Sequence, residues 1–240
     1  IRLSLVGSEM CIRDSVLVVP TNETVECDAI PEIGTPTATD NCDGDVSIVY
    51  DGESRTDGNC PNYYTLTRTW TATDDCNNTH TVSQTITVED NTPPVLNVPA
   101  DATLECTDDT SSANTGVATA TDTCGTVTIT ESDSAVPGTC GNTVVITRTW
   151  TATDECGNST SDTQTITTED NTPPVLTMPA DATVECTDNT SSANTGMATA
   201  TDTCGTVTIT ESDSAVPGTC GNTVVITRTW TATDECGNST

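Results

Sequence analysis

The sequence predicts an all-β protein built of tandem immunoglobulin-like antiparallel β-sandwiches, with two disulfides per repeat. Three observations lead there. Threonine and valine alternate with other residues along several segments, as at Thr147, Thr149, Thr151 and Thr153, and both residue types favour strands. The segment NTPPVL stands at Asn91 and again eighty residues later at Asn171, and TRTWTATD starts at Thr67, Thr147 and Thr227 with the same spacing. Cysteines fall four to a repeat: Cys27, Cys42, Cys60, Cys76; Cys106, Cys124, Cys140, Cys156; Cys186, Cys204, Cys220, Cys236.

The repeats set the domain organisation. Residues 1–15 lack the threonine bias and read as a translation artefact or a linker. Repeat one spans 16–90, repeat two 91–170 and repeat three 171–240. The third copy stops before the counterpart of Ser161–Asp170 and is expected to lack its last strand. Near-identical copies point to a role served by length or valency.

Within repeat two, Val95–Val98 follows Pro93-Pro94 as a short first strand, which Ala102–Glu105 continues to Cys106. Gly116–Thr121 alternates and ends in the turn Asp122-Thr123-Cys124-Gly125. Thr126–Glu131 is a further strand, and Ser132–Asn142 is expected as a loop. Thr143–Thr153 is the longest strand and ends in Asp154-Glu155-Cys156-Gly157-Asn158. Thr163–Thr168 is the last. Short strands punctuated by Gly, Pro, Asn and Asp are the pattern of an antiparallel sandwich. Ile146, Trp150 and Ala152 share a core-facing side of the long strand. Arg148 lies on that side too, and is expected to pair with Glu131; in repeat one Tyr50 takes the glutamate's place and would stack on the arginine.

An even number of cysteines in small acidic modules argues for disulfides and an oxidising compartment. Zinc would need closer pairs, and His80 is the only histidine. In a sandwich, Cys106 and Cys140 share one end, and Cys124 and Cys156 share the other. This predicts Cys106–Cys140 and Cys124–Cys156, and by register Cys27–Cys60, Cys42–Cys76, Cys186–Cys220 and Cys204–Cys236. Each would close a loop of a little over thirty residues, worth about 3–4 kcal/mol. A thin core with 2% aromatic residues and no phenylalanine needs such staples.

Charge and motifs exclude several functions. The 240 residues carry 36 acids, six arginines and no lysine, a net charge of −30. That charge repels nucleic acid and acidic membrane surfaces, and no stretch approaches the ~20 apolar residues of a membrane span. No phosphate loop, Walker-type lysine or HExxH occurs, and the single histidine cannot recur in each copy, so no enzyme is expected. The one ligand question is calcium. Glu89 and Asp90 leave repeat one at the end expected to carry Asp122, Asp154 and Glu155; Glu169, Asp170, Asp202, Asp234 and Glu235 recur at the next junction. Those oxygens suit a hard cation, although Asp and Asn also populate turns for backbone reasons. No other cofactor is expected. N-glycosylation acceptor patterns stand at Asn22, Asn77, Asn158, Asn189 and Asn238.

The recurring elements DNTPPV, ECTD, ATDxC, GTC and ITRTWTATDECGN together resemble the HYR-like, four-cysteine immunoglobulin-like repeats of bacterial surface proteins. The resemblance covers residues 16–240; repeat one departs in having DGNC for PGTC and DCNN for ECGN. It implies long secreted or cell-surface proteins, often of the Bacteroidota, with roles in adhesion or as stalks and no catalysis. The expected function is therefore an extracellular stalk or spacer whose partners are neighbouring repeats. The alternatives are a multivalent module binding surface glycans or proteins, for which Tyr63 and Tyr64 are the exposed aromatic candidates, and an accessory region of a secreted enzyme.

Overall fold

The computed structural model of the chain describes residues 15–40 and 45–240. Among these the protein is all-β, in sandwiches of the immunoglobulin type. In repeat one, β1 (Val16–Val18) pairs antiparallel with β3 (Thr37–Thr39). A second sheet has the order β2 (Glu23–Glu26), β6 (Thr79–Glu89), β5 (Tyr64–Thr73), β4 (Ser47–Asp57). The two sheets close on a small core. Leu17 of β1 packs on Trp70 and Ala72 of β5, with Ala38, Ile48 and Val82 around them. Leu66, Ile86 and Val88 form a second cluster nearer Cys27. The exposed face of β5 and β6 carries hydroxyl pairs, Thr69 with Ser83 at 3.0 Å and Thr71 with Thr81 at 2.8 Å, the cross-strand pairing that threonine suits.

Repeat two follows the same plan. β7 (Val95–Asn97) pairs with β9 (Thr119–Thr121), and the larger sheet runs β10 (Val127–Pro137), β11 (Val144–Asp154), β12 (Ser159–Glu169), β8 (Ala102–Glu105). β8 is not a continuation of β7, as the sequence reading had it. The chain changes sheets between them, and β8 runs parallel to β12. Much of the segment expected as a loop is strand: β10 reaches Pro137, and only a short turn separates it from β11. A helical turn, α1 (Ser112–Thr115), precedes β9. In repeat three, β13 (Val175–Thr177) pairs with β14 (Thr199–Thr201), after a second helical turn, α2 (Ser192–Thr195). β15 (Val207–Pro217) and β16 (Val224–Asp234) form a two-stranded sheet, and Thr233 of β16 also bridges to Ser239.

Arg148, on the core face of the long strand, pairs with Asp133 rather than with the expected Glu131, and in repeat three Arg228 pairs with Asp213 at 2.7 Å while Glu211 stays at 3.9 Å. In repeat three Arg228 lies opposite Asp213, and Glu211 lies opposite Trp230. Period-two alternation keeps Glu211 on the same face but one cross-strand pair further along. Accordingly Arg148 donates to both carboxylate oxygens of Asp133 at 2.8 Å, to Thr115 Oγ1 and to the Thr110 carbonyl. Glu131 instead accepts from Ser112 Oγ. In repeat one Arg68 pairs with Glu53 at 2.8 Å and reaches the Pro31 and Glu32 carbonyls, while the Tyr50 ring meets Trp70 rather than the arginine. A bulge between Tyr50 and Gly52 sets that register.

The disulfides correct the sequence reading most sharply. Among the described residues, bonds are formed between Cys27 and Cys124, Cys60 and Cys156, Cys106 and Cys204, and Cys140 and Cys236. The expected pairs Cys27–Cys60, Cys106–Cys140, Cys124–Cys156 and Cys204–Cys236 are not formed. Cys186 and Cys220 are exposed thiols. Cys42, and with it the expected Cys42–Cys76, lies outside the described residues. Each of these four bonds joins one repeat to the next. The placement of two cysteines at each end of the sandwich was sound. What decides the pairing is that the end carrying Cys27 and Cys60 meets the opposite end of the following repeat, bringing Cα atoms to 5.1–5.9 Å, a disulfide's span.

The compact units therefore cut across the sequence repeats. One comprises the residues up to Asn97 with 119–130 and 151–161; the other comprises 98–118, 131–150 and 162–240. Each unit contains one junction between successive repeats and both of its disulfides.

Candidate functional site at the repeat junctions

The first junction is assembled from three turns and a linker. β6 ends at Glu89, and Asp90 opens the linker Asn91-Thr92-Pro93-Pro94. Cys27 follows β2 directly, so its bond to Cys124 ties the end of repeat one to the turn after β9. Cys60, in the turn between β4 and β5, is tied to Cys156, in the turn between β11 and β12.

Asp154 organises that last turn. Its Oδ1 accepts from the Cys156 amide at 2.8 Å and the Asn158 amide at 2.9 Å, and its Oδ2 accepts from Asn158 Nδ2 at 2.8 Å. Gly157 sits at φ 94, in the left-handed region glycine favours. Repeat one places Asn77 there at φ 65, asparagine being the substitute that tolerates it best. Asn158 Nδ2 also donates to the Asp90 carbonyl at 2.9 Å, and Thr160 Oγ1 donates to the Pro94 carbonyl at 2.7 Å. The turn thus grips the linker. Asn158 is hydrogen-bonded into the junction, as is Asn238 in the next repeat, so neither acceptor amide is presented for glycosylation in the folded protein.

Carboxylates converge beside this grip. Asp90 is 6% exposed, and neither of its carboxylate oxygens has a hydrogen-bond partner. The Thr92 amide lies near enough to favour the charged form but outside hydrogen-bonding geometry. An Asp90 oxygen, an Asp122 oxygen and Cys124 Sγ lie within 4.8 Å of one another. Burial, helped by the charges of Asp154, Asp122 and Glu26, pushes the Asp90 carboxyl above the ordinary aspartate range. Asp154 goes the other way. Burial raises it, but the Asn158 side chain and the amides of Asn158, Cys156 and Gly157 outweigh that and hold it low.

The second junction repeats the arrangement. Asp170, Asp202 and Cys204 group within the same limit. Asn238 donates to the Asp170 carbonyl at 2.9 Å, and Thr240 Oγ1 to the Pro174 carbonyl at 2.8 Å. Asp170 Oδ1 accepts one bond, from the Thr172 amide at 3.1 Å. Its carboxyl is raised by burial and by the charges of Asp202, Asp234 and Glu105. In this junction the loop between β10 and β11 is seated against the turn after β14: the Asn142 amide donates to the Cys204 carbonyl at 2.7 Å, and a Cβ on Gly141, at φ 52, would collide with that carbonyl.

Of the predicted calcium residues, the fold gathers Asp90, Asp122 and Asp154, and in the second copy Asp170, Asp202 and Asp234. It assigns the glutamates elsewhere. Glu89 and Glu169 accept from Asn91 and Asn171. Glu155 lies against Gly125 and the Thr126 amide, and Glu235 accepts from Thr206 Oγ1 at 2.6 Å. Sequence reasoning missed Glu26 and Glu105, whose carboxylates accept from the backbone and side chain of Asn91 and Asn171. Their signal is the Glu-Cys pair that ends the second strand, ECTD at Glu105 and ECDA at Glu26, which the sequence places at the far end of its own repeat; only the junction brings it beside the next linker. Of the candidate glycan-stacking aromatics, Tyr64 lies under the Arg55 guanidinium, 3.6 Å from its ring centre, and Tyr63 is partly exposed. Among the described residues, no helix is long and apolar enough to cross a membrane.

Solved structures similar to the chain include three cadherin fragments. Human CDH23 EC21-23 is 14% identical with a TM-score of 0.37, the match covering 95% of this chain and 98% of that one. Protocadherin Gamma B7 domains 1-4 is 16% identical with a TM-score of 0.32, covering 95% and 75%. Drosophila N-cadherin EC1-4 is 12% identical with a TM-score of 0.30; the match covers 66% of this chain and half the length of that one. No curated protein matches the sequence. The family described as the HYR-like domain with 4 cysteines matches residues 16–88, which are repeat one almost from end to end.

Proposed function

We propose that the chain is an extracellular spacer whose repeats are covalently zipped to their neighbours, so that it resists extension. The observation carrying this reading is the disulfide pattern. Bonds from each repeat to the next, two per junction, occur in the same register at both junctions. A bond inside a repeat would stabilise that repeat alone. A bond between repeats also stops the junction from opening when the chain is pulled. The linker grip by Asn158 and Thr160, repeated at Asn238 and Thr240, and the Pro-Pro pair limit bending at the same place. Disulfides and acidic modules fit an oxidising, extracellular setting. The aromatic at Tyr50 is replaced by Glu131 and Glu211 in the later repeats, so its pairing with Trp70 offers no recurring platform for a glycan. Single-molecule stretching of the oxidised chain tests the reading: a short maximum extension that lengthens several-fold on reduction is expected. An oxidised chain as extensible as the reduced one would refute it.

A further inference from the structure

We propose that each repeat junction is a calcium site, centred on Asp90 and Asp122 at the first and on Asp170 and Asp202 at the second, with the charges of Asp154 and Asp234 beside them. Acidic residues are abundant in this chain, so their number argues nothing. Asp90 is what singles out the junction. It is 6% exposed, both its carboxylate oxygens are buried without a hydrogen-bond partner, and one of them points at an Asp122 oxygen within 4.8 Å. A buried carboxylate without donors is costly, and a second carboxylate beside it makes it costlier. The second junction repeats the approach of Asp170 to Asp202 in register, there with one donor to Asp170, the Thr172 amide.

The neighbours define the ligand. Asp122 Oδ1 accepts a single bond, from the Cys124 amide at 2.6 Å, which leaves it oriented with oxygen capacity to spare. Asp154 is fixed by three hydrogen bonds and remains charged. Glu26 adds a fourth negative charge near Asp90. Cys124 is consumed by its disulfide and offers no thiolate, so a soft metal has nothing to bind. The donors are all oxygens on turns and a linker, not a rigid octahedron, and this favours calcium over magnesium. A cation there would neutralise the carboxylates while the Cys27–Cys124 bond holds the same turn.

The test uses the oxidised chain, with Asp90→Asn, Asp170→Asn and the double variant. Asparagine keeps the shape and removes the charge, and each variant should fold. Calorimetric titration with calcium chloride is expected to give two sites in the native protein, one in each single variant and none in the double. With few protein ligands, a dissociation constant of about 10⁻⁴–10⁻³ M is expected. At 10 mM calcium the melting temperature should then rise by about 3–10 °C over EDTA, and the double variant should lose that rise. In EDTA the double variant should melt above the native protein, because a repulsion has been removed. No calcium response in the native protein, or an equal response in the double variant, would overturn the proposal. So would an equal response to magnesium, which would mark general screening of the −30 charge. The spacer reading would survive any of these failures, because it rests on the disulfides.

Discussion

Pulling on the two ends of the described chain separates the disulfide patterns by length alone. In the oxidised protein the shortest covalent path from Val16 to Thr240 follows the bonds. It runs eleven residues to Cys27, crosses to Cys124, runs sixteen to Cys140, crosses to Cys236 and runs four to the end. That is thirty-one residue steps, against two hundred and twenty-four in the reduced chain. At about 3.6 Å per residue, the fully unfolded oxidised chain should reach about 110 Å, plus the short spans of two cystines. The reduced chain should reach about 810 Å. Bonds confined within each repeat would leave about 120 residues on the taut path and an extension of about 440 Å. Force spectroscopy with handles at the two ends resolves these lengths easily. Extension near 440 Å in the oxidised protein would refute the inter-repeat ladder and the spacer function built on it. The same ladder makes a prediction for longer arrays: each further eighty-residue repeat in this register adds only about sixteen residues of slack, the step from Cys124 to Cys140.

Other outcomes follow from the same structure. Alkylation of the unreduced protein should label Cys186 and Cys220, the exposed thiols, and spare the eight bridged cysteines, as read by peptide mass mapping. Arg148→Ala strands Asp133, the Thr115 hydroxyl and the Thr110 carbonyl. Because Asp133 is partly solvated, the cost should be about 1–3 kcal/mol, measured by urea denaturation, and Arg148→Lys should recover only part of it. Trp70→Ala should cost about 3–5 kcal/mol by opening a cavity in a core with little else to fill it. Stability against pH should show two opposed limbs in EDTA. Asp133, held low by Arg148, and Asp154, held low by its turn, contribute stability that is present above the unfolded aspartate value of about 3.9 and is lost as pH falls through their folded values. Asp90 and Asp170 are raised in the fold, so stability instead falls as pH climbs from about 3.9 through their folded values. The Asp90→Asn, Asp170→Asn double variant should flatten that second limb.

The sheet architecture was legible in the sequence because it depends on short-range pattern. Alternation along Thr143–Thr153 and Asp and Gly turns are local signals, and strand formation answers to them. Pattern also placed Ile146, Trp150 and Ala152 in the core. It failed where two segments carry equal local signals. The strand content of Ser132–Pro137 was hidden because its serine and aspartate look like a loop, and what makes it a strand is a long partner in β11. The partner of Arg148 was misjudged by one cross-strand pair, since period two constrains the face and leaves the register to the neighbouring strand.

The sequence by itself determined the repeat, the two cysteines at each end of the sandwich and the acids that recur at each junction. Those follow from spacing, and spacing is printed in the chain. Only the tertiary structure decided which cysteines meet and which acids converge. A single repeat viewed alone has two cysteines at each end and no reason to look beyond itself. Once Asp90 leads the chain into the next sandwich, that sandwich's opposite end arrives at Cys27 and Cys60, and Cys124 and Cys156 become the nearest thiols. The same approach buries Asp90 beside Asp122 and leaves Glu89 and Glu155 at the rim. Proximity between residues nearly a hundred positions apart is a property of how ends pack, and no local pattern encodes it.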